Sequence, residues 1–326
     1  VEGQYTTRGW TEWTEGFRYG LFLLTGDALD DAKLVDFGRK GTLRKMPAHL
    51  THTGVHDHGF NTLSTYGNLL RLWNEGRFRQ GDVWEQRCYE QAIAVSGAVQ
   101  AARWSPTEEG LGYVYSFNGP QSLFIDTMRT TRIMSSAHQL GHVLKGEQDE
   151  SISLLGRALL HGRASSRHLI FHGDSTHRYD IRGRTAHEGL FNPINGSFRA
   201  RSSQQGYSPF TSWTRGLAWA ILGFAEHLEF LQTLPAEAVR GAVPGWSKRE
   251  ALALYRETAL AVADHYIDEV ACADGVTYWD EGAPGLSALG AWREQPADPF
   301  NDHEPVDASA AAIAAQGLIR LGNALG

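Results

Sequence analysis

The sequence predicts an all-α fold: a toroid of helical hairpins, with short strands in its longer loops. Two observations predict it. Segments with helical apolar spacing recur along the 326 residues, and short glycine turns alternate with long polar loops. Leu24-Thr25-Gly26-Asp27 and Leu144-Lys145-Gly146-Glu147 are two of the short turns, with glycine read as a helix stop. Alternating short and long connections imply paired helices whose long loops gather at one end. A helical solenoid satisfies the same alternation, but self-similarity between segments is weak and counts against it. The more hydrophobic helix of each pair is expected inside and the more polar one outside. No linker interrupts the pattern, so residues 1–326 read as a single helical-toroid domain.

The elements follow in order. Residues 11–25 read as a mostly buried helix, and 28–43 as a polar-faced one. Residues 46–57 are irregular. Helices are expected over 59–74, with Leu63, Leu69, Leu70 and Leu72 spacing the apolar face, and over 83–102. Residues 103–120 read as loop plus a short strand at 112–115. A helix from the 121–129 stretch to about 143 and another over 148–163 come next. Residues 164–212 hold strand-like pieces at 169–171 and 177–179 among polar turns. Helices resume over 213–233 and 248–270, and the last covers 307–323, with an extended piece at 276–279 and a loop at 281–304.

Bulk properties exclude several classes. Hydrophobic residues make up 42% and charged residues 21%, enough apolar surface for a large core and too much for a disordered chain. The net charge of -7 comes with no Lys/Arg stripe between aromatics, which argues against a nucleic-acid binder. No run is long enough for a transmembrane helix, so no membrane partner is expected. Cys88 and Cys272 stand far apart in no metal or redox pattern. The chain reads as a soluble cytoplasmic or periplasmic protein, monomeric or weakly self-associating. It begins at Val1 rather than Met, which leaves room for a leader, tag or further segment before it. Ten Trp residues are many; most will fill core volume, and clustered ones suit the flat C–H face of a sugar ring.

The long loops hold nearly all the polar clusters. In Gln121-Ser122-Leu123-Phe124-Ile125-Asp126-Thr127-Met128-Arg129 a lone carboxylate sits in apolar company. Lost hydration would raise its pKa, as a general acid needs. The other reading is a helix-start aspartate accepting backbone N–H bonds, and the stretch alone favours that cap. His52-Thr53-Gly54-Val55-His56-Asp57-His58-Gly59-Phe60 carries three histidines and an aspartate. Two readings compete: a metal site, though the spacing matches no strong metal template, and Asp57 as a helix cap reaching into a cleft with His56 beside it. Two such carboxylates suit acid/base chemistry on a glycoside. His177 could polarise a sugar hydroxyl or be a plain surface residue. Trp213, Arg215 and Trp219 at a helix start offer stacking surface and a cation for a planar carboxylate, or an ordinary ion pair. Asp307 begins another capped helix.

Taken together the set resembles the unsaturated glucuronyl and rhamnogalacturonyl hydrolases (glycoside hydrolase families 88 and 105). The resemblance rests on residues 13–17, 56–60, 125–128, His177, 205–207, 212–216, Trp219, 276–280 and 307–310, in family order. It implies an (α/α)6 barrel with the site in its mouth. It also implies removal of the terminal 4,5-unsaturated uronic acid from polysaccharide-lyase products, by hydration of the C4=C5 bond. By motif position Asp126 is the acid and base, and Asp57 the second essential carboxylate. Trp13, His56, His177, Gln205, Trp213, Arg215 and Trp219 match the substrate side of the site. The partner is an unsaturated uronyl oligosaccharide; no metal or cofactor is implied.

The chain departs from the family at Thr130, Leu217 and Ala308, where Asn, Gln and Ser or Thr are usual. Residues 181–200 read as inserted between His177 and Gln205. The family's first outer helix would lie before Val1 and its final hairpin after Gly326. A glycosidase on saturated uronosides, through the same two carboxylates, and a non-catalytic oligosaccharide-binding relative are the alternatives.

Overall fold

A computed structural model describes residue 9, residues 12–77 and residues 81–326. The chain forms two compact units: residues 1–103 with 133–154, and residues 104–132 with 155–326. The start of the helix expected over 11–25 lies in part outside the described residues.

In the first unit, helix Glu15–Ala28 packs on Ala32–Lys45 and on the segment His58–Asn74. Glycines permit the closest contacts. A Cβ on Gly16 would fall 2.5 Å from the Asn61 Cα, and one on Gly20 2.5 Å from the Ser64 carbonyl oxygen. The Asn61 side chain accepts from the Gly16 N–H at 2.7 Å. Gly26, expected as a stop, lies inside the first helix, where a Cβ would meet the Val35 backbone nitrogen at 2.7 Å. Close packing, not termination, explains that glycine. Asp31 caps the next helix, accepting from Lys33 and Leu34 N–H. Asp82 likewise caps Val83–Ala102, the helix expected at those bounds. A bidentate Arg39–Glu85 pair joins these two helices, and its hydrogen bonds hold the Glu85 carboxyl below its usual range.

The second short turn also differs from expectation. The helix expected to reach about 143 ends at Gln139, and the next begins at Leu154. Between them Leu144–Lys145 pairs antiparallel with Ser151–Ile152, so Gly146 sits in a β-hairpin rather than between helices. Gln148 and Asp149 at its tip have positive φ, which ends any helical run.

The second unit is organised on helix Thr214–Thr233, buried along most of its length. It packs on Ala308–Leu325, on Lys248–His265 and on the one-turn helix Thr127–Thr130. Gly223 admits the last of these: a Cβ there would lie 2.8 Å from the Met128 carbonyl carbon. Glu226, on the same helix, is buried beneath Arg129, Arg132 and Arg320. Burial alone would raise its pKa; the three cations bring it below the usual carboxylate range.

Strand Ser122–Phe124 heads a three-stranded antiparallel sheet, in the order 122–124, 188–191, 198–202. The second and third strands replace the strand-like pieces expected at 169–171 and 177–179. Leu169 ends a helix, Ile170 makes one isolated bridge to Thr185, and residues 177–179 form a turn. The apolar run 169–171 is buried and bonds antiparallel to 183–186 over this single bridge, too short to make a strand of it. Helix Ala236–Ala242 was not anticipated. No described helix is long and apolar enough to cross a membrane.

Candidate active site

Asp57 belongs to the first unit. It stands at the start of helix His58–Thr62, 8% exposed. Among the described residues its side chain makes no cap hydrogen bond to that helix, contrary to the cap expected of it. Its Oδ1 is 3.8 Å from Nε2 of the buried His56. The His56 carbonyl accepts from the Gln100 side-chain amide at 2.8 Å, which fixes the backbone between the two residues. His58 faces elsewhere: Nδ1 pairs with the Ser96 hydroxyl and Nε2 with the His52 carbonyl. Burial pushes its pKa down to about 4, so it is neutral at pH 7. No group of three described His, Cys, Asp or Glu residues is placed to hold a metal ion. Trp13, just before helix Glu15–Ala28, packs with Phe17 at a ring distance of 5.9 Å and with Phe60, on Asp57's helix, at 5.3 Å.

Asp126 belongs to the second unit, also 8% exposed and also at a helix start without a side-chain cap among the described residues. Its neighbours Leu123, Phe124, Ile125 and Met128 have no exposed surface. The sheet aims it. Strand 122–124 pairs with 188–191, and the Ile125 N–H extends the ladder by donating to the His187 carbonyl at 3.0 Å. Asp126 is therefore the first residue released from a buried strand. Gly216 holds the same point from the other side, where a Cβ would lie 3.0 Å from Ile125 Cγ2.

His187 is a candidate site residue that the sequence reading missed. It is 1% exposed, its ring 4.3 Å from Phe124 and 4.9 Å, edge to face, from Trp213. Its Nδ1 accepts from the backbone N–H groups of Gln204 at 3.0 Å and Gln205 at 3.2 Å. A neutral ring accepting at Nδ1 carries its proton on Nε2, which is a donor; the Gln205 amide, 3.5 Å from that atom, pairs with it when its oxygen is turned toward the ring. His177 is exposed on a turn, stacked on Tyr179 at 5.1 Å and 8°. His187 lies inside the 181–200 segment that read as an insertion.

Trp213 and Trp219 are nearly buried, and Arg215 is the most exposed of the group. The Arg215 guanidinium lies 5.0 Å from the Trp213 ring centre, 3.2 Å from the Ser309 hydroxyl and 3.4 Å from Asp307. Asp307 caps its helix as expected, accepting from the Ala310 N–H at 3.0 Å. The second unit thus brings together Asp126, His187, Gln205, Trp213 and Arg215 through a continuous set of ring and backbone contacts. The arrangement offers a carboxyl on a dry strand end, a polarised imidazole and a cation seated on an indole.

No family model matches the chain. It is 26% identical over 333 residues to the unsaturated glucuronyl hydrolase of Bacillus sp. (strain GL1), covering 99% of this chain and 70% of that one. A second protein of that name, from Formosa agariphila, is 22% identical over 95% of this chain and 63% of its own length. Among solved structures, an unsaturated glucuronyl hydrolase specific for heparin superposes with a TM-score of 0.72 at 18% identity, over 99% of this chain and 70% of that one. The likeness shows the fold, the all-α class expected, and the resemblance to the unsaturated glucuronyl hydrolases holds in sequence and in fold.

Proposed function

We propose that the chain is a glycoside hydrolase acting on 4,5-unsaturated uronic acid, the chemistry named for the relatives it resembles. The observation that carries the finer reading is Asp126, a nearly buried carboxyl released from a strand beside the His187–Gln205–Trp213 group. In this reading the Asp126 acid gives its proton to C4 of the unsaturated sugar. The carboxylate so formed takes a proton from water as the oxygen adds to C5. The C5 hemiketal then opens its ring, and the glycosidic oxygen leaves with the next sugar from C1. Asp57 has the part of a second carboxylate, toward sugar hydroxyls. His187 takes the polar contact expected of His177, and Arg215 suits the uronate carboxylate.

The test is optical. Lyase-digested polysaccharides absorb in the ultraviolet through their conjugated C4=C5 bond, and hydration bleaches it. A panel of such digests is expected to contain at least one that the folded protein bleaches. Unchanged absorbance across the panel, with release of chromophore from a saturated glucuronide, would assign the saturated glycosidase instead.

A further inference from the structure

Asp280 has no role in the reaction as read so far, yet it has no exposed surface, and one of its carboxylate oxygens accepts from the segment that carries Gln205. Its Oδ2 accepts the Tyr207 N–H at 2.8 Å and its Oδ1 the Gly282 N–H at 2.9 Å, with the Thr211 hydroxyl a further donor. Its backbone bridges Trp213. The Thr214 N–H donates to the Trp279 carbonyl and the Glu281 N–H to the Ser212 carbonyl, each at 3.1 Å. The turn 204–207 is consequently held at both ends. His187 Nδ1 takes the first two N–H groups and Asp280 Oδ2 the last. Gly206 lies between, where a Cβ would sit 3.0 Å from Asp280 Oδ2 and 2.9 Å from Trp213 Cβ.

We infer that Asp280 is a positioning residue that sets Gln205 and Trp213 for the substrate. The inference rests on the reading of this site as a uronide hydrolase. The chemistry explains why an acid stands there. An asparagine has one acceptor oxygen, and its NH2 would face either the Tyr207 or the Gly282 N–H. Only a carboxylate accepts on both sides. Burial works against the charge, raising the carboxyl to about 6, and the N–H and hydroxyl donors oppose that rise. Its charged neighbour Glu281 is engaged by His265 at 2.6 Å and by Arg184 at 2.5 Å.

Asp280→Asn, assayed on an unsaturated disaccharide, is expected to raise KM about tenfold with kcat within about twofold, the pattern of lost substrate alignment rather than lost chemistry. Gly206→Ala pushes a Cβ against Asp280 Oδ2 and Trp213 Cβ in the same turn and is expected to act in the same direction. The double variant should then lose much less than the product of the two singles. Thermal melting of each variant separates alignment from collapse. An unchanged KM in Asp280→Asn, or a fall in kcat alone, overturns the positioning role, as does multiplicative loss in the double variant. A wild-type chain that neither hydrolyses nor binds the disaccharide sinks the hydrolase reading and this inference with it. A wild type that turns over while Asp280→Asn matches it sinks this inference alone.

Discussion

Asp57 and Asp126 are alike in everything local. Each begins a short helix, each is 8% exposed, and neither spends its carboxylate on the helix cap among the described residues. They differ in company. Asp57 has an imidazole 3.8 Å away and sits in a histidine-rich turn. Asp126 follows a buried strand and is flanked in sequence by side chains with no exposure. The proposed reaction gives these two residues different work: Asp57 accepts hydroxyl donors and Asp126 shuttles a proton.

The largest expected effect breaks that comparison directly. Asp126→Asn removes the transferable proton and is expected to lower kcat by about 10³-fold or more, with the fold intact by circular dichroism. Asp57→Asn keeps a hydrogen-bonding oxygen and is expected to cost about 10²-fold, with a larger share in KM. Equal losses in kcat for both would make the two carboxylates a single acid/base pair and erase the distinction.

The next largest effect compares two histidines of the second unit. His187→Asn removes the acceptor that holds the Gln204 and Gln205 N–H groups, and is expected to raise KM by about tenfold to a hundredfold. His177→Ala deletes an exposed ring stacked on Tyr179 and is expected to change KM by less than about threefold. The reverse order would return the substrate contact to His177.

These histidines mark where the sequence stopped being legible. Helical periodicity placed Val83–Ala102 at its bounds and Thr214–Thr233 within one residue, because long amphipathic or fully apolar runs carry their own signal. The glycine turns were misread because a glycine inside a helix for close approach and one ending a helix look the same along the chain. Gly26 needed its partner Val35 to be told apart. The 188–191 strand stayed hidden because its ladder partner, 122–124, is more than sixty residues away, and 198–202 pairs only with 188–191. With that pairing missing, His187 had no visible neighbour and fell inside an apparent insertion. Residue types and order pointed to the Asp126, Trp213 and Arg215 group; the sheet register that aims it could not be read from local pattern.

The smallest effect separates the two units by acid. Burial lowers the pKa of His49, His58 and His138 in the first unit, and of His168 and His227 in the second. Such a histidine binds its proton more readily unfolded than folded, so its contribution is complete above about 6.5 and lost as pH falls toward the folded value. For His58, His168 and His227 that value is about 4. Asp280 has the opposite sign. Raised to about 6, it binds its proton more readily folded, so falling pH stabilises the second unit across the same window. Between pH 6.5 and 5 His49, His58 and His138 work against the first unit, whereas in the second His168 and His227 are partly offset by Asp280. Hydrogen exchange of helix Val83–Ala102 is therefore expected to accelerate more on acidification than that of Thr214–Thr233, by at most about 1.4 kcal/mol per pH unit for each fully buried histidine. Asp280→Asn should widen the acid loss of the second unit toward that of the first. Parallel exchange profiles in both helices, unmoved by Asp280→Asn, would mean that acid reaches the two units through other groups.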